Sequence, residues 1–182
     1  MGLLDDIVLS PSEVLATECE PIQTIDRDVK KLADRMLKIM YAAEGCGLAA
    51  PQVGVTKQLV VIDCDYEGRG SKKNPYVLIN PKVVTADGEM RDFQEGCLSF
   101  PGISVTVTRP SHVVVQAYDL NGDLLQYEAE GNLMAVCLQH EIDHLNGRTM
   151  FEAAGPRERI QALQDYEYAL SHGARPGDTE SE

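Results

Sequence analysis

Leu133-Met134-Ala135-Val136-Cys137-Leu138-Gln139-His140-Glu141-Ile142-Asp143-His144-Leu145 is the stretch that decides the fold, because it is apolar on nearly every side and predicts a buried helix. Polar residues are rare in such a helix, yet His140, Glu141 and His144 stand together near its end. Residues four apart project from one helical face, so the two imidazoles can bind one metal ion. Glu141 is placed to carry a proton for a metal-bound water. The stretch therefore predicts a metallohydrolase.

A catalytic zinc site requires a third protein ligand and one open position. In the pattern HExxHxxGxxH the third ligand falls six residues after the second histidine, but that position is Met150, whose thioether is a poor zinc ligand. Glu152 and Glu158 are acidic candidates close after the expected helix end. Cys97 is another, because neighbouring glycines and a proline let its backbone turn toward the helix, and Cys137 shares the helical stripe of the histidines.

Two other readings of these residues stay open from the residues alone. If Cys97 and Cys137 both bind, the site is a closed Cys2His2 zinc site that only stabilises the fold, although Glu141 would then have no role. A Cys-His amidase could instead use Cys97 as nucleophile, but that design requires one base and an orienting group rather than two histidines four apart. The odd number of cysteines, five, argues against a disulfide framework and favours reduced thiols.

Two further segments accompany the helix motif in a fixed order. Gly45-Cys46-Gly47-Leu48-Ala49-Ala50-Pro51-Gln52-Val53-Gly54 comes first, Glu95-Gly96-Cys97-Leu98-Ser99 second, and Gln139-His140-Glu141-Ile142-Asp143-His144-Leu145-Asn146-Gly147 third. Together they closely resemble the three signature motifs of the peptide deformylase family. The resemblance extends over roughly residues 24 to 150.

This resemblance implies one divalent metal ion per chain, bound by Cys97, His140 and His144. It also implies ferrous iron in the cell, with zinc, nickel or cobalt possible in purified protein. The implied reaction is hydrolysis of the N-formyl group from the formylmethionine of newly made proteins, with release of formate. Metal-bound hydroxide would attack the formyl carbon, Glu141 would act as general base and then acid, and the Gln52 side chain and the Leu98 N–H would stabilise the oxyanion.

Methionine specificity requires an apolar pocket beside the metal. Six residues are expected to line this pocket: Gly45, Cys46, Gly47, Leu133, Val136 and Cys137. Helical spacing places the last three on the face of the first histidine. Cys46 stands where the family usually has a larger aliphatic residue, so it affects the size of the pocket. Each of these residues could equally be ordinary core.

The rest of the chain predicts an α+β fold, with mostly antiparallel sheets packed around the buried metal-binding helix and with an N-terminal and a C-terminal helix. The first helix opens near Thr24 and ends near Gly45, and the last is expected at residues 157–170 with Ile160, Leu163 and Tyr166 on one stripe. Alternating or continuous apolar residues predict strands at residues 59–62, 77–79, 83–84, 103–107, 112–118 and 124–130.

Length and composition indicate one catalytic domain, residues 1–171, followed by a flexible acidic tail, residues 172–182. The net charge of −13 argues against DNA or other nonspecific nucleic-acid binding. No signal peptide or membrane span is visible, so we expect a soluble, cytoplasmic protein. The resemblance implies formyl-methionyl nascent chains as partners and transient contact with the ribosome, which the acidic surface opposes.

Overall fold

The computed structural model describes residues 2–179. Within these residues, four α-helices and five strands are joined by short turns and three 3-10 helices, the last at Ala50–Val53. The helices are α1 Arg27–Ala42, α2 Leu133–Leu145, α3 Met150–Ala153 and α4 Pro156–Ser171, and the strands are β1 Gly47–Ala49, β2 Leu59–Ile62, β3 Tyr76–Cys97, β4 Phe100–Tyr118 and β5 Leu124–Glu130.

The strands form one sheet in the order β1-β2-β3-β4-β5, and every neighbouring pair is antiparallel. β3 and β4 are far longer than the sequence pattern predicts, because each joins two predicted strands into one continuous strand. Four register shifts interrupt their pairing, the last between Glu95 and Cys97. Such bulges bend and twist a strand pair, which lets the long hairpin curve around the helices. The predicted α+β class is confirmed, with one continuous sheet.

Helix α2 lies against one face of this sheet and is buried along most of its length. The Asn132 side chain accepts a hydrogen bond from the Ala135 N–H and caps the N-terminus of the helix. At the other end the Cys19 N–H donates to the Leu145 carbonyl, so the early part of the chain closes the helix. Because α2 is capped at its N-terminus and held by a backbone hydrogen bond at its C-terminus, its side chains lie in defined positions.

Helix α1 begins after Asp26, whose side chain accepts a hydrogen bond from the Val29 N–H. Its apolar face packs with β1 and β2 in a second core cluster. A third cluster lies where α3 and α4 contact β4. The short α3 starts at a capping box formed by Thr149 and Glu152, so Glu152 stabilises a helix terminus.

Helix α4 starts with Pro156 at its first turn, one residue before the expected start, and it turns a different face toward the core than the sequence predicts. Ala162 and Tyr166 are buried, whereas Ile160 and Leu163 are exposed, so the predicted stripe is only partly correct. The Tyr166 hydroxyl donates to the Ser10 carbonyl, and its ring packs near Phe100. The small Ala162 permits close approach to β4, which decides the orientation of the helix.

The segment after α4 was expected to be a flexible tail from residue 172. In the structure residues 172–179 turn back along the protein, and the Gly102 N–H donates to the Asp178 carbonyl. Arg175 also contacts Asp5. Residues 180–182 of the expected tail lie outside the described residues. Among the residues that the structure describes, no helix is long and apolar enough to cross a membrane.

Candidate metal centre and active site

The two histidines of α2 meet Cys97 at the end of β3. The possible ligand atoms of Cys97, His140 and His144 all lie within 4.8 Å of one another. The Cys97 sulfur is 3.4 Å from His144 Nε2. Within residues 2–179 this is the one such group of three cysteine, histidine or acidic side chains. Neither Cys137 nor the acids Glu152 and Glu158 belong to it.

Glu95, which lies near the end of β3, fixes the orientation of the His140 ring. Its Oε1 lies 2.8 Å from His140 Nδ1, which leaves Nε2 of the imidazole for a metal. Arg109 holds the same carboxylate with two hydrogen bonds of 2.5 and 2.9 Å and reaches Asp143 at 3.0 Å. Glu95 therefore pairs with Arg109 and contacts His140 with the same carboxylate.

This network explains the protonation of the buried groups. Burial opposes the charge of Glu95, but hydrogen bonds from His140 and Arg109 hold the pKa of its carboxyl below the ordinary value. Burial also acts to lower the pKa of His140, yet the contacts with Cys97 and Glu95 raise it well above the usual range. His144 has no such carboxylate, and burial lowers its pKa well below the usual range, so its ring is neutral. A neutral imidazole is the form that binds metals.

Glu141 is buried beside the ligand group. Its Oε1 is 3.9 Å from His140 Nε2, and its Oε2 has no hydrogen-bond partner. Burial raises the pKa of the Glu141 carboxyl to about 7. Gly47 leaves space for this side chain, because a Cβ there would lie 2.8 Å from Glu141 Oε1. A carboxyl that titrates near neutral pH suits a group that accepts and returns a proton.

Gln52 is fully buried behind Cys97. Its Oε1 accepts a hydrogen bond of 2.9 Å from the Ala49 N–H, and this contact orients the amide. Its Nε2 lies 3.1 Å from the Ser99 hydroxyl and 3.5 Å from the Cys97 sulfur. The amide N–H groups therefore point toward the cysteine end of the metal group. Ser99 is a contact that the sequence analysis did not identify.

A cleft of about 580 Å³ opens in front of the metal group. All six residues expected in the substrate pocket line this cleft, and so do Cys97, Leu98, His140 and Glu141. Gly45 is in close contact with Leu98, because a Cβ at Gly45 would lie 2.9 Å from Leu98 Cδ1. Asp178 and Thr179 of the C-terminal segment contribute to the rim. The structure thus brings the expected residues together, while their individual roles stay predictions.

The donor set fits a divalent transition metal. One thiolate and two imidazoles suit iron, zinc, cobalt or nickel, and three ligands leave a position open. The unpartnered Oε2 of Glu141 lies buried next to the ligands, where a water on the metal would satisfy it. A closed Cys2His2 site would require Cys137 as a fourth ligand, but Cys137 lies outside the metal group and its sulfur is 3.1 Å from that of Cys46. An open metal group beside a buried carboxyl defines the class of metal-dependent hydrolases.

Comparison with known proteins narrows this class to one family. The model of the family described as polypeptide deformylase matches residues 4–159, and the chain belongs to this family. It is 40% identical over 169 residues to a peptide deformylase of Hydrogenovibrio crunogenus, covering 93% of this chain and 96% of that protein. It is 43% identical over 170 residues to one of Rhizobium meliloti, with the same coverage of 93% and 96%. The family predicted from the three motifs is thus confirmed.

Solved structures agree with this assignment. A peptide deformylase of Legionella pneumophila superposes with a TM-score of 0.83 at 39% identity, covering 91% of this chain and 95% of that one. A peptide deformylase of Synechococcus elongatus, solved in complex with actinonin, gives a TM-score of 0.82 at 40% identity, with coverage of 91% and 89%. The protein is therefore a hydrolase, and the prediction of an enzyme is confirmed.

Proposed function

We propose that the protein removes the N-formyl group from the N-terminal formylmethionine of newly made polypeptides and releases formate. The observation that carries this proposal is the unpartnered, buried Glu141 carboxyl beside a three-ligand metal group, at the bottom of an apolar cleft. Hydrolysis of an amide requires a proton acceptor and donor next to the bond that breaks. The names of the relatives support the formyl amide as the bond.

We assign the metal to Cys97, His140 and His144, with Fe(II) as the ion in the cell and zinc, nickel or cobalt in purified protein. When bound, such an ion lowers the pKa of water from about 16 toward 7 and makes a nucleophile available at neutral pH. Glu141 accepts a proton from the water and later donates it to the leaving nitrogen. The Gln52 amide and the Leu98 N–H donate hydrogen bonds to the oxyanion, and loss of one such donor costs about 3 kcal/mol of transition-state stabilisation.

The walls of the cleft would select the first side chain of the substrate. Val136 and Cys137 are buried, and Leu133 is exposed at the edge of the cleft. These apolar groups suit an unbranched methionine side chain, while the glycines at 45 and 47 let an extended peptide approach the backbone. We expect such a pocket to favour methionine over smaller or charged residues by at least about tenfold in kcat/KM.

The first experiment measures formate release from a short formyl-methionyl peptide. Anaerobically prepared, Fe(II)-loaded protein is compared with Glu141→Ala and with Glu167→Ala, which alters an exposed acid on α4. We expect the wild type and Glu167→Ala to release formate and Glu141→Ala to lose activity while it keeps its metal. If the metal-loaded wild type releases no formate, the proposed reaction is wrong.

The Cys137→Ser variant separates an open site from a structural one. Because Cys137 contacts Cys46 rather than the ligand group, we expect the variant to keep one metal per chain. Loss of the metal in a folded variant would favour the closed Cys2His2 site. Removal of the metal from the wild type tests the Cys-His amidase, since a thiol nucleophile at Cys97 would work without any metal.

We also place the protein in the cytoplasm, where nascent chains emerge, and propose transient contact with the ribosome. The net charge of −13 disfavours binding to ribosomal RNA, which is also negatively charged, so this contact would have to involve a ribosomal protein or the nascent chain itself. Cosedimentation with ribosomes at low salt tests it, and a protein that stays in the supernatant would contradict ribosome contact without affecting the proposed reaction.

A further inference from the structure

Cys46 and Cys137 meet at the wall of the cleft, and the proposed reaction uses neither of them as a reactive group. The sulfurs of Cys46 and Cys137 lie 3.1 Å apart, and all the cysteines are free thiols. Cys64 packs against the core cluster that contains Cys137. Cys46 comes directly before β1, Cys64 follows β2, and Cys137 lies in the middle of α2. The residues therefore join three separate elements.

The backbone fixes this arrangement. Gly47 pairs with Ile62 across β1 and β2, and the Asp63 N–H donates to the Cys46 carbonyl. Cys46 is thus held beside the end of β2, while α2 presents Cys137 from the opposite side. A disulfide requires a sulfur separation of about 2.05 Å, so the Cys46–Cys137 pair has to close by only about 1 Å.

A small oxidant can reach the pair. Cys46 and Cys137 both line the cleft in front of the metal group, whereas Cys64 does not. Hydrogen bonds with Cys137 and Cys64 lower the pKa of the Cys46 thiol, although burial opposes this effect. The thiolate is the reactive form of cysteine. Among the described residues only Cys97, His140 and His144 lie close enough together to bind a metal, so the cysteines of the cleft wall are not a second metal site.

We propose that Cys46 and Cys137 are a thiol modification site, at which hydrogen peroxide forms a reversible disulfide across the wall of the substrate pocket. Cys46 attacks one peroxide oxygen, the S–O bond forms, the O–O bond breaks, and the released hydroxide takes up a proton as water. Cys137 gives up its proton and attacks the oxidised sulfur, so the S–S bond forms and a second water leaves. Two thiols and one peroxide thus become one disulfide and two waters.

The consequence for activity rests on the proposed function. The disulfide ties the Gly45–Gly47 backbone to α2 and moves one wall of the methionine pocket by about 1 Å. A change of this size is comparable to one methylene of the substrate, so we expect KM for a formyl-methionyl peptide to rise about tenfold. A thiol reductant restores the original KM because it returns both sulfurs to thiols.

The test uses the full chain loaded with zinc, which has no redox chemistry of its own and holds Cys97 as a ligand. After treatment with one equivalent of hydrogen peroxide, free thiols are alkylated, and the digested peptides are mapped by mass spectrometry. We expect the peptides of Cys46 and Cys137 to be cross-linked. Mapping of the wild type alone decides the result, so it does not depend on the folding of any variant.

Variants then assign the pair. Cys46→Val and Cys137→Ala should each abolish the cross-link and the effect of peroxide on KM, relative to the same variant untreated. Cys64→Ala should retain both, and so should Cys19→Ala, which alters a buried thiol that contacts the Thr17 carbonyl. Cross-linking of Cys46 to Cys64, or oxidation at Cys97 with Cys46 and Cys137 still free, would overturn the proposal. A cross-link in protein that releases no formate even before peroxide treatment would refute the proposed reaction and leave the modification site standing.

Discussion

Replacement of Glu95 by glutamine should weaken metal binding and destabilise the fold, because this one carboxylate contacts two buried side chains. Its Oε1 contacts His140 at 2.8 Å and Arg109 at 2.9 Å, and its Oε2 contacts Arg109 at 2.5 Å. A glutamine amide can replace one oxygen, but its NH2 then faces another N–H donor. The variant removes a charge from a buried pair in which both side chains are less than one-tenth exposed.

The size of the effect follows from these contacts. Breaking a buried ion pair costs about 3–5 kcal/mol. Asp143 still contacts Arg109 at 3.0 Å and partly compensates the charge, so we expect a loss of about 2–3 kcal/mol in the free energy of unfolding, or roughly 5–10 °C in Tm. Loss of the carboxylate that orients a metal-binding histidine lowers metal affinity about 10–100-fold.

Zinc affinity is measured by competition with a chelating dye, and Tm is measured on the metal-free protein. Glu128→Gln is the matched control, because Glu128 also contacts a histidine, His112 at 2.7 Å, but on an exposed face of the sheet. We expect the control to leave both quantities unchanged. If Glu95→Gln binds zinc as tightly as the wild type does, then Glu95 does not orient His140 for the metal.

Three further predictions concern the cleft. Metal-free wild type should lose stability relative to Glu141→Gln as pH rises from 4.5 to about 7, because the fold keeps this carboxyl protonated after the unfolded chain has ionised it. The difference should reach on the order of 3 kcal/mol at pH 8, and chemical denaturation at pH 5 and pH 8 measures it. Gly47→Ala should displace the Glu141 carboxylate, whose Oε1 would lie 2.8 Å from the new Cβ, and should lower kcat about 100-fold with metal content unchanged. Gln52→Ala should lower kcat by about 10²–10³-fold with little change in KM. Steady-state kinetics at equal metal load measure this, and an unchanged kcat would contradict it.

The sequence predicts the chemistry of the site well because its signals are local. His140 and His144 are one helical turn apart, and the buried helix that carries them is visible as an apolar run. The choice between Cys97 and Cys137 required the family resemblance or the fold, since both are compatible with the spacing. The role of Glu95 could not be read from sequence, because its contact with His140 joins residues 45 positions apart.

The outer half of β3 shows why strand prediction fails beyond residue 84. From Thr85 to Gln94 nearly every residue is exposed, so neither face carries an apolar pattern. These residues form a strand only because β4 lies alongside and supplies the ladder of hydrogen bonds. In α4 the apolar pattern predicts the wrong buried residues. The helical spacing of Ile160 and Leu163 indicates a core face, but both are exposed, and Ala162 and Tyr166 are buried instead.

The contacts made by the first twenty residues determine how much of the chain must be synthesised before the fold can be completed. The Cys19 N–H closes the end of α2 at Leu145, and the Ser10 carbonyl accepts the Tyr166 hydroxyl across 156 positions of sequence. These N-terminal residues, which leave the ribosome first, can therefore form their contacts only after almost the whole chain has been synthesised. Such distant pairings form late in folding. Each new molecule should thus complete these contacts only after translation has passed the last helix.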